Sequence, residues 1–170
     1  NSAGNEVLAL KTNGTLWAWG RGGQGSLGLG DTVNRSSPVQ VGSATNWTQF
    51  EVGSGCAGAI NSAGGLWTWG IGNVGGTGHN NATNVSCPVQ VGSLTDWSKL
   101  RTRRWGFHAI KTDGTLWAWG RNTEGEIGDG TTVTRSSPVQ IGTLTDWSTF
   151  GGGRNATAYG MTAIKTDGTL

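Results

Sequence analysis

Apolar and polar residues alternate along the chain in short stretches closed by glycine or a polar turn, and no helical spacing of apolar residues links them. Residues 109–112, the pair Asp113-Gly114 and residues 115–119 read as a β-hairpin. Asp-Gly here, like Asn13-Gly14 earlier, predicts a two-residue type I′ turn in which both central residues take positive φ. In the returning strand Leu116 and Ala118 point to one face, Trp117 and Trp119 to the other. Both faces are apolar, so the sheet has to be covered on both sides. A proline-led strand over 138–141 and a strand over 147–150 complete a set of four, since proline at the head of a strand costs no ladder hydrogen bond.

The pattern recurs at an offset of 50 residues: LWAWG at 16–20 returns as LWTWG at 66–70 and LWAWG at 116–120. SSPVQVG at 36–42 returns as SCPVQVG at 86–92 and SSPVQIG at 136–142, and Trp47, Trp97 and Trp147 keep register. A fourth unit opens with KTDGTL at 165–170, after an interval four residues longer. Short antiparallel strands at this period, covered on both faces, predict an all-β fold of four-stranded β-propeller blades forming a partial ring. A parallel solenoid needs shorter repeats, and a sandwich has no need of near-identical ones. Residues 1–170 read as one partial propeller of about three and a half repeats, anchored at 16–20, 66–70 and 116–120 with a fourth beginning at 165. That is short of the roughly four blades of the smallest closed ring. The chain therefore reads as part of a longer polypeptide, with ring closure by a second copy as the rival.

Composition agrees with strands. Of 170 residues 32 are glycine and ten are tryptophan, which disfavours helix, while only 13% are charged, which disfavours disorder. A net charge of +2 is too small for an electrostatic footprint on nucleic acid, so no nucleic-acid partner is expected. No apolar stretch approaches the roughly 20 residues of a bilayer span, so no membrane insertion is expected. Cys56 and Cys87 form no disulfide framework or metal motif; one bridge between strands and two unpaired thiols both remain open.

Residues 119–128, Trp-Gly-Arg-Asn-Thr-Glu-Gly-Glu-Ile-Gly, resemble the W-G-x-N-x-x-G-Q-L-G signature of the regulator of chromosome condensation repeat family. The unit at 19–28 lacks the asparagine and the one at 69–78 is looser still. The run from Gly128 to Gly142 is similar to the bacterial and phage branch of that family. The resemblance implies a seven-bladed ring of about 350 residues. Nuclear members are exchange factors for a small GTPase that bind nucleosomes, and another member is a secreted protein that caps β-lactamases. The matched residues are scaffold residues, so the resemblance implies little about function.

The in-register tryptophans at 17, 19, 47, 67, 69, 97, 117, 119 and 147 are expected in the core rather than at a sugar-stacking site. The glycine string at 20–25 lacks the strand–helix context and lysine of a phosphate loop. Asp113, Asp129, Asp146 and Asp167 sit where side chains bond local amides, and His79 and His108 have no recognisable nucleophile partner. Asparagine sequons occur at Asn13, Asn34, Asn46, Asn81, Asn84 and Asn155, and in a chain this rich in Asn, Ser and Thr chance accounts for most of them. No catalytic residue, metal site or cofactor is predicted.

The repeat breaks its own rule between the Trp-x-x-Phe/Leu strand and the Ala-Ile strand, where the units read EVGSGCAG (51–58), RTRRWGFH (101–108) and GGGRNATAYGMT (151–162). Equivalent segments of successive blades lie side by side, so variation confined to them builds a composite patch on a constant frame. The candidate partner-binding residues are Arg101, Arg103, Arg104, Trp105, Phe107 and His108, with Arg154, Asn155 and Tyr159 alongside. The chemistry suits a protein partner or self-assembly, with carbohydrate as an alternative. The expected function is a non-enzymatic structural, adhesive or protein-interaction propeller, extracellular, on the cell surface or on a virion. The alternatives are a secreted inhibitory binder and a guanine-nucleotide exchange factor.

Overall fold

The computed structural model describes residues 2–3, 5–103, 105–151 and 161–170. Among them β1 (Ser2–Ala3), β2 (Glu6–Leu10), β3 (Leu16–Gly20) and β4 (Arg35–Gln40) form one antiparallel sheet in chain order. A second holds β5 (Trp47–Val52), β6 (Cys56–Asn61), β7 (Leu66–Gly70) and β8 (Val85–Gln90). The third holds β9 (Trp97–Arg103), β10 (Gly106–Lys111), β11 (Leu116–Gly120) and β12 (Arg135–Gln140), and β13 (Trp147–Gly151) pairs with β14 (Thr162–Lys165) in the last. These are the blades of a partial β-propeller.

The phase of the blade differs from the sequence reading. The strand at Trp147 opens the next sheet, pairing with β14, and does not close the sheet of β10–β12. The link between β9 and β10 is two residues, which forces them to pair, whereas residues 141–146 carry the chain from the outer strand of one sheet to the inner strand of the next. Each arriving strand is tied to the hairpin turn it passes. The N–H groups of Trp47, Trp97 and Trp147 donate to the carbonyls of Gly14, Gly64 and Gly114 at 3.1 Å each.

The turn type differs too. Gly114 has φ +78°, but Asp113 is not among the residues with positive φ. Lys111 N–H donates to Thr115 O at 3.0 Å and Gly114 N–H to Lys111 O at 3.0 Å, which makes a three-residue loop, a type I turn with a glycine bulge. Asp113 holds this form because its Oδ1 accepts from Thr115 N–H (3.0 Å) and Oγ1–H (2.7 Å). Trp117 Nε1–H then donates to Thr115 Oγ1 at 2.8 Å. Asn13, Thr15 and Trp17 repeat the relay. The second unit has Gly65 in place of the threonine, and its Trp67 Nε1 is buried without a hydrogen bond.

The core lies between blades. Leu8, Leu16 and Ala18 of the first sheet meet Trp47, Val52, Ala57 and Trp69 of the second, and Ile60 and Leu66 of the second meet Trp97, Leu100, Phe107 and Trp119 of the third. Trp47, Trp69, Trp97 and Trp119 are buried, while Trp17, Trp19, Trp67, Trp117 and Trp147 are half-buried. Two of the buried indoles need a glycine opposite them: a Cβ at Gly28 would lie 2.8 Å from Trp69 Nε1, and one at Gly78 2.7 Å from Trp119 Nε1. The Gln49 side chain bridges the first strands β5 and β9 of two neighbouring sheets. Gln49 Nε2 donates to Ser98 O at 2.6 Å, and its Oε1 accepts from Leu100 N–H at 3.3 Å.

Asp129 organises the loop before β12. It accepts from Thr131 N–H and Oγ1–H on Oδ1, and from Arg135 Nε–H at 2.7 Å on Oδ2. The Thr131 hydroxyl first, then Arg135, hold its carboxyl at about 2 against an ordinary 3.8. A carboxyl lowered on folding adds stability that is whole above the ordinary value and lost as pH falls through the folded one. Asp129→Asn is therefore expected to lose less stability than wild type between about pH 4 and pH 2, measured by urea unfolding; equal losses would refute this.

Cys56 on β6 and Cys87 on β8 are separated by β7 and form no disulfide with one another. Burial pushes the Cys56 thiol up to about 12, which makes it inert.

Candidate protein-interaction site

Two of the repeat-breaking segments, 51–58 and 101–108, contain the turns between the first and second strands of the second and third sheets, on one face of the partial ring, and residues 152–160 of the third lie outside the described residues. On that face Arg101 pairs with Glu51 across β9 and β5 at 3.1 Å, with both side chains largely covered, so its main work is to tie two blades together. Arg103 ends β9 opposite Gly106 in register. Trp105 is half-buried in the turn, with the Arg121 guanidinium carbon 5.2 Å from its ring centroid. Arg121 also lies 3.7 Å from Glu126 and 3.9 Å from Glu124, which fixes the charge that the indole faces.

Two of the predicted residues are interior. Phe107 is fully buried and stacked on Trp119, centroids 5.5 Å apart at 23°. His108, next on β10, is buried as well. Strand alternation sends these side chains to the two covered faces of the sheet, so they support the turn from below and are not presented by it. Arg104, Arg154, Asn155 and Tyr159 lie outside the described residues.

Sequence reasoning missed a cleft on the same face. Asn5, Glu6, Arg21, Gln24, Ser54, Ile71 and Trp105 line a space of about 270 Å³ to which three sheets contribute. Glu6 is buried beside it, and burial raises its carboxyl above the ordinary carboxylate range although its own amide and Arg21 pull the other way. The missed signal was in register: Glu6 stands where the next units carry Cys56 and Gly106. Gln24 has φ +60°, while Val74 and Glu124, at the same place in the other units, are not among the residues with positive φ.

Residues 13–60 and 113–159 match the Regulator of chromosome condensation (RCC1) repeat, and together they exceed half of the chain. The chain belongs to the RCC1 repeat family. Solved structures superpose on it at low identity. Human WBSCR16 is 23% identical with a TM-score of 0.73, over 82% of this chain and 36% of that one. Prp20p from Saccharomyces cerevisiae, a structure described with its binding to Gsp1p and histones, is 18% identical with a TM-score of 0.76, over 86% and 39%. Yeast RCC1 (Prp20) with Kap60 bound gives 18% and 0.75, over 86% and 37%. The chain thus spans less than two fifths of each of these three structures, and the likeness is one of fold.

Proposed function

We propose that this chain is part of a protein-interaction propeller, which engages a protein partner through the turns on the ring face carrying Trp105. One observation carries the reading. The strands repeat nearly unchanged, while the turns between first and second strands differ in every unit and present a half-exposed tryptophan braced by an arginine. Protein partners of the yeast relatives, Kap60, Gsp1p and histones, support this class of partner. The adhesive, exported or particle-borne form of the proposal rests on composition, with four lysines in 170 residues and abundant glycine, threonine, serine and asparagine.

The test is quantitative capture with the full-length protein from its own source. Trp105→Ala is expected to weaken the captured complex about thirtyfold, as truncation of an interface anchor worth about 2 kcal/mol does. Val133→Ala, at an exposed site on an outer loop, is the control and should leave capture unchanged. Loss with Val133→Ala, or capture unaltered by Trp105→Ala in a folded protein, would remove the turn face from the proposal.

A further inference from the structure

We infer that the cleft beside Glu6 is a subsite for one cationic side chain, lysine or arginine, inserted by the protein partner; this rests on the interaction reading above and supplies its chemistry. The size suits one side chain, because about 270 Å³ falls below the roughly 300–1,000 Å³ of sites for small-molecule ligands.

The scaffold does not call for the carboxylate. Glu6 pairs with Gly20 as Cys56 pairs with Gly70 and Gly106 with Gly120, so a thiol or a bare glycine completes the same register. A glutamate only 6% exposed costs stability unless something meets its charge. Its own amide, Arg21 and Ser26 all favour the ionised form, yet burial outweighs them, so the charge is under-compensated. Arg21 stands on the exposed rim, where solvent screens it.

The walls fit the same ligand. Trp105 supplies an indole that already faces one guanidinium, and Ile71 supplies an apolar surface for a methylene stem. Gln24 is held in the left-handed region, where no other unit requires a side chain, and this brings its Oε1 to 3.9 Å from the Cβ position of Gly55 in the neighbouring sheet. That places an acceptor over the cleft at the expense of backbone strain, which is the pattern of a binding position.

The probe is N-acetyl-L-arginine amide, with N-acetyl-L-citrulline amide as its uncharged isostere. Titrated into the protein and followed by the Trp105 indole NMR signal, the arginine derivative is expected to bind in the millimolar range and the citrulline derivative at least fivefold more weakly. Glu6→Gln should reduce arginine binding tenfold or more. Glu6→Cys, the residue of the second unit, provides a variant the scaffold already accommodates and should behave alike. Equal binding of the two derivatives, binding unaffected by either Glu6 variant, or no indole shift at tens of millimolar would each overturn the subsite. If partner capture is lost with Trp105→Ala but retained with Glu6→Cys, the subsite fails and the interaction reading stands.

Discussion

Trp119→Ala is expected to lower the unfolding free energy by about 3–5 kcal/mol, well above the loss for any half-buried tryptophan of this chain. The indole is fully buried between the second and third sheets, stacked on Phe107 and edge-on to Trp97 at 6.2 Å. Gly78 cannot follow it inward when it is removed, because φ +76° and backbone bonding hold that loop, so a cavity remains. For a chain of this length the loss corresponds to a fall of roughly 10 °C in melting temperature. Trp105→Ala should cost far less, since that ring is half-buried and outside the repeat. Phenylalanine separates packing from hydrogen bonding: Trp69 Nε1–H donates to Ser26 O at 3.1 Å, whereas Trp119 Nε1 has no partner. Trp69→Phe should therefore cost about 1 kcal/mol more than Trp119→Phe. Calorimetry on the purified variants checks both comparisons, and equal costs for Trp119→Ala and Trp105→Ala would contradict the blade-interface account.

The strands were legible because the repeat writes each one three times, and alternation then assigns its faces. The phase of the blade was not legible. Nothing local to residues 147–150 says whether that strand pairs backward with β12 or forward with β14; the short β9–β10 turn of another unit decides it. The turn type was misread because Asp113-Gly114 suits two hairpins, and the choice was made by Thr115, which bonds the aspartate and gives Trp117 an acceptor. The candidate site was legible in position but not in content. Arg101 and Trp105 fall on the face where the repeat varies, yet the partner of Arg101 is Glu51, in another blade and 50 residues away. Glu6 lies within a strand, β2, where the equivalent positions carry Cys56 and Gly106, so its signal is a single departure inside an element the repeat otherwise keeps.

Asn122→Ala is expected to cost about 3 kcal/mol, because its buried amide is the hub of the loop between β11 and β12. Nδ2 donates to Thr131 O at 2.9 Å and Val133 O at 3.1 Å, and Oδ1 accepts from Ile127 N–H at 3.0 Å. The first two units have Gly22 and Gly72 in its place, and solve the same problem from the other side. There the glycine N–H donates to an asparagine twelve residues on, Asn34 or Asn84, at 3.0 Å in each case. The third unit has Thr134 at that position, so hub and pin exclude one another. They exclude one another sterically as well: a Cβ at Gly22 would lie 2.2 Å from Val33 O, and one at Gly72 1.9 Å from Thr83 O. Asn122→Gly alone should cost about as much as the alanine change, and Thr134→Asn alone should gain nothing, because the Asn122 side chain bonded to Thr131 O and Val133 O holds the loop in its other form. Combined, they should regain at least half of the loss, a coupling of about 1.5 kcal/mol between the sites. Chemical denaturation of the four proteins measures that coupling. If the two costs simply add, the repeats do not share one loop with two interchangeable pins, and the asparagine of the family signature acts in the third unit through something other than these bonds.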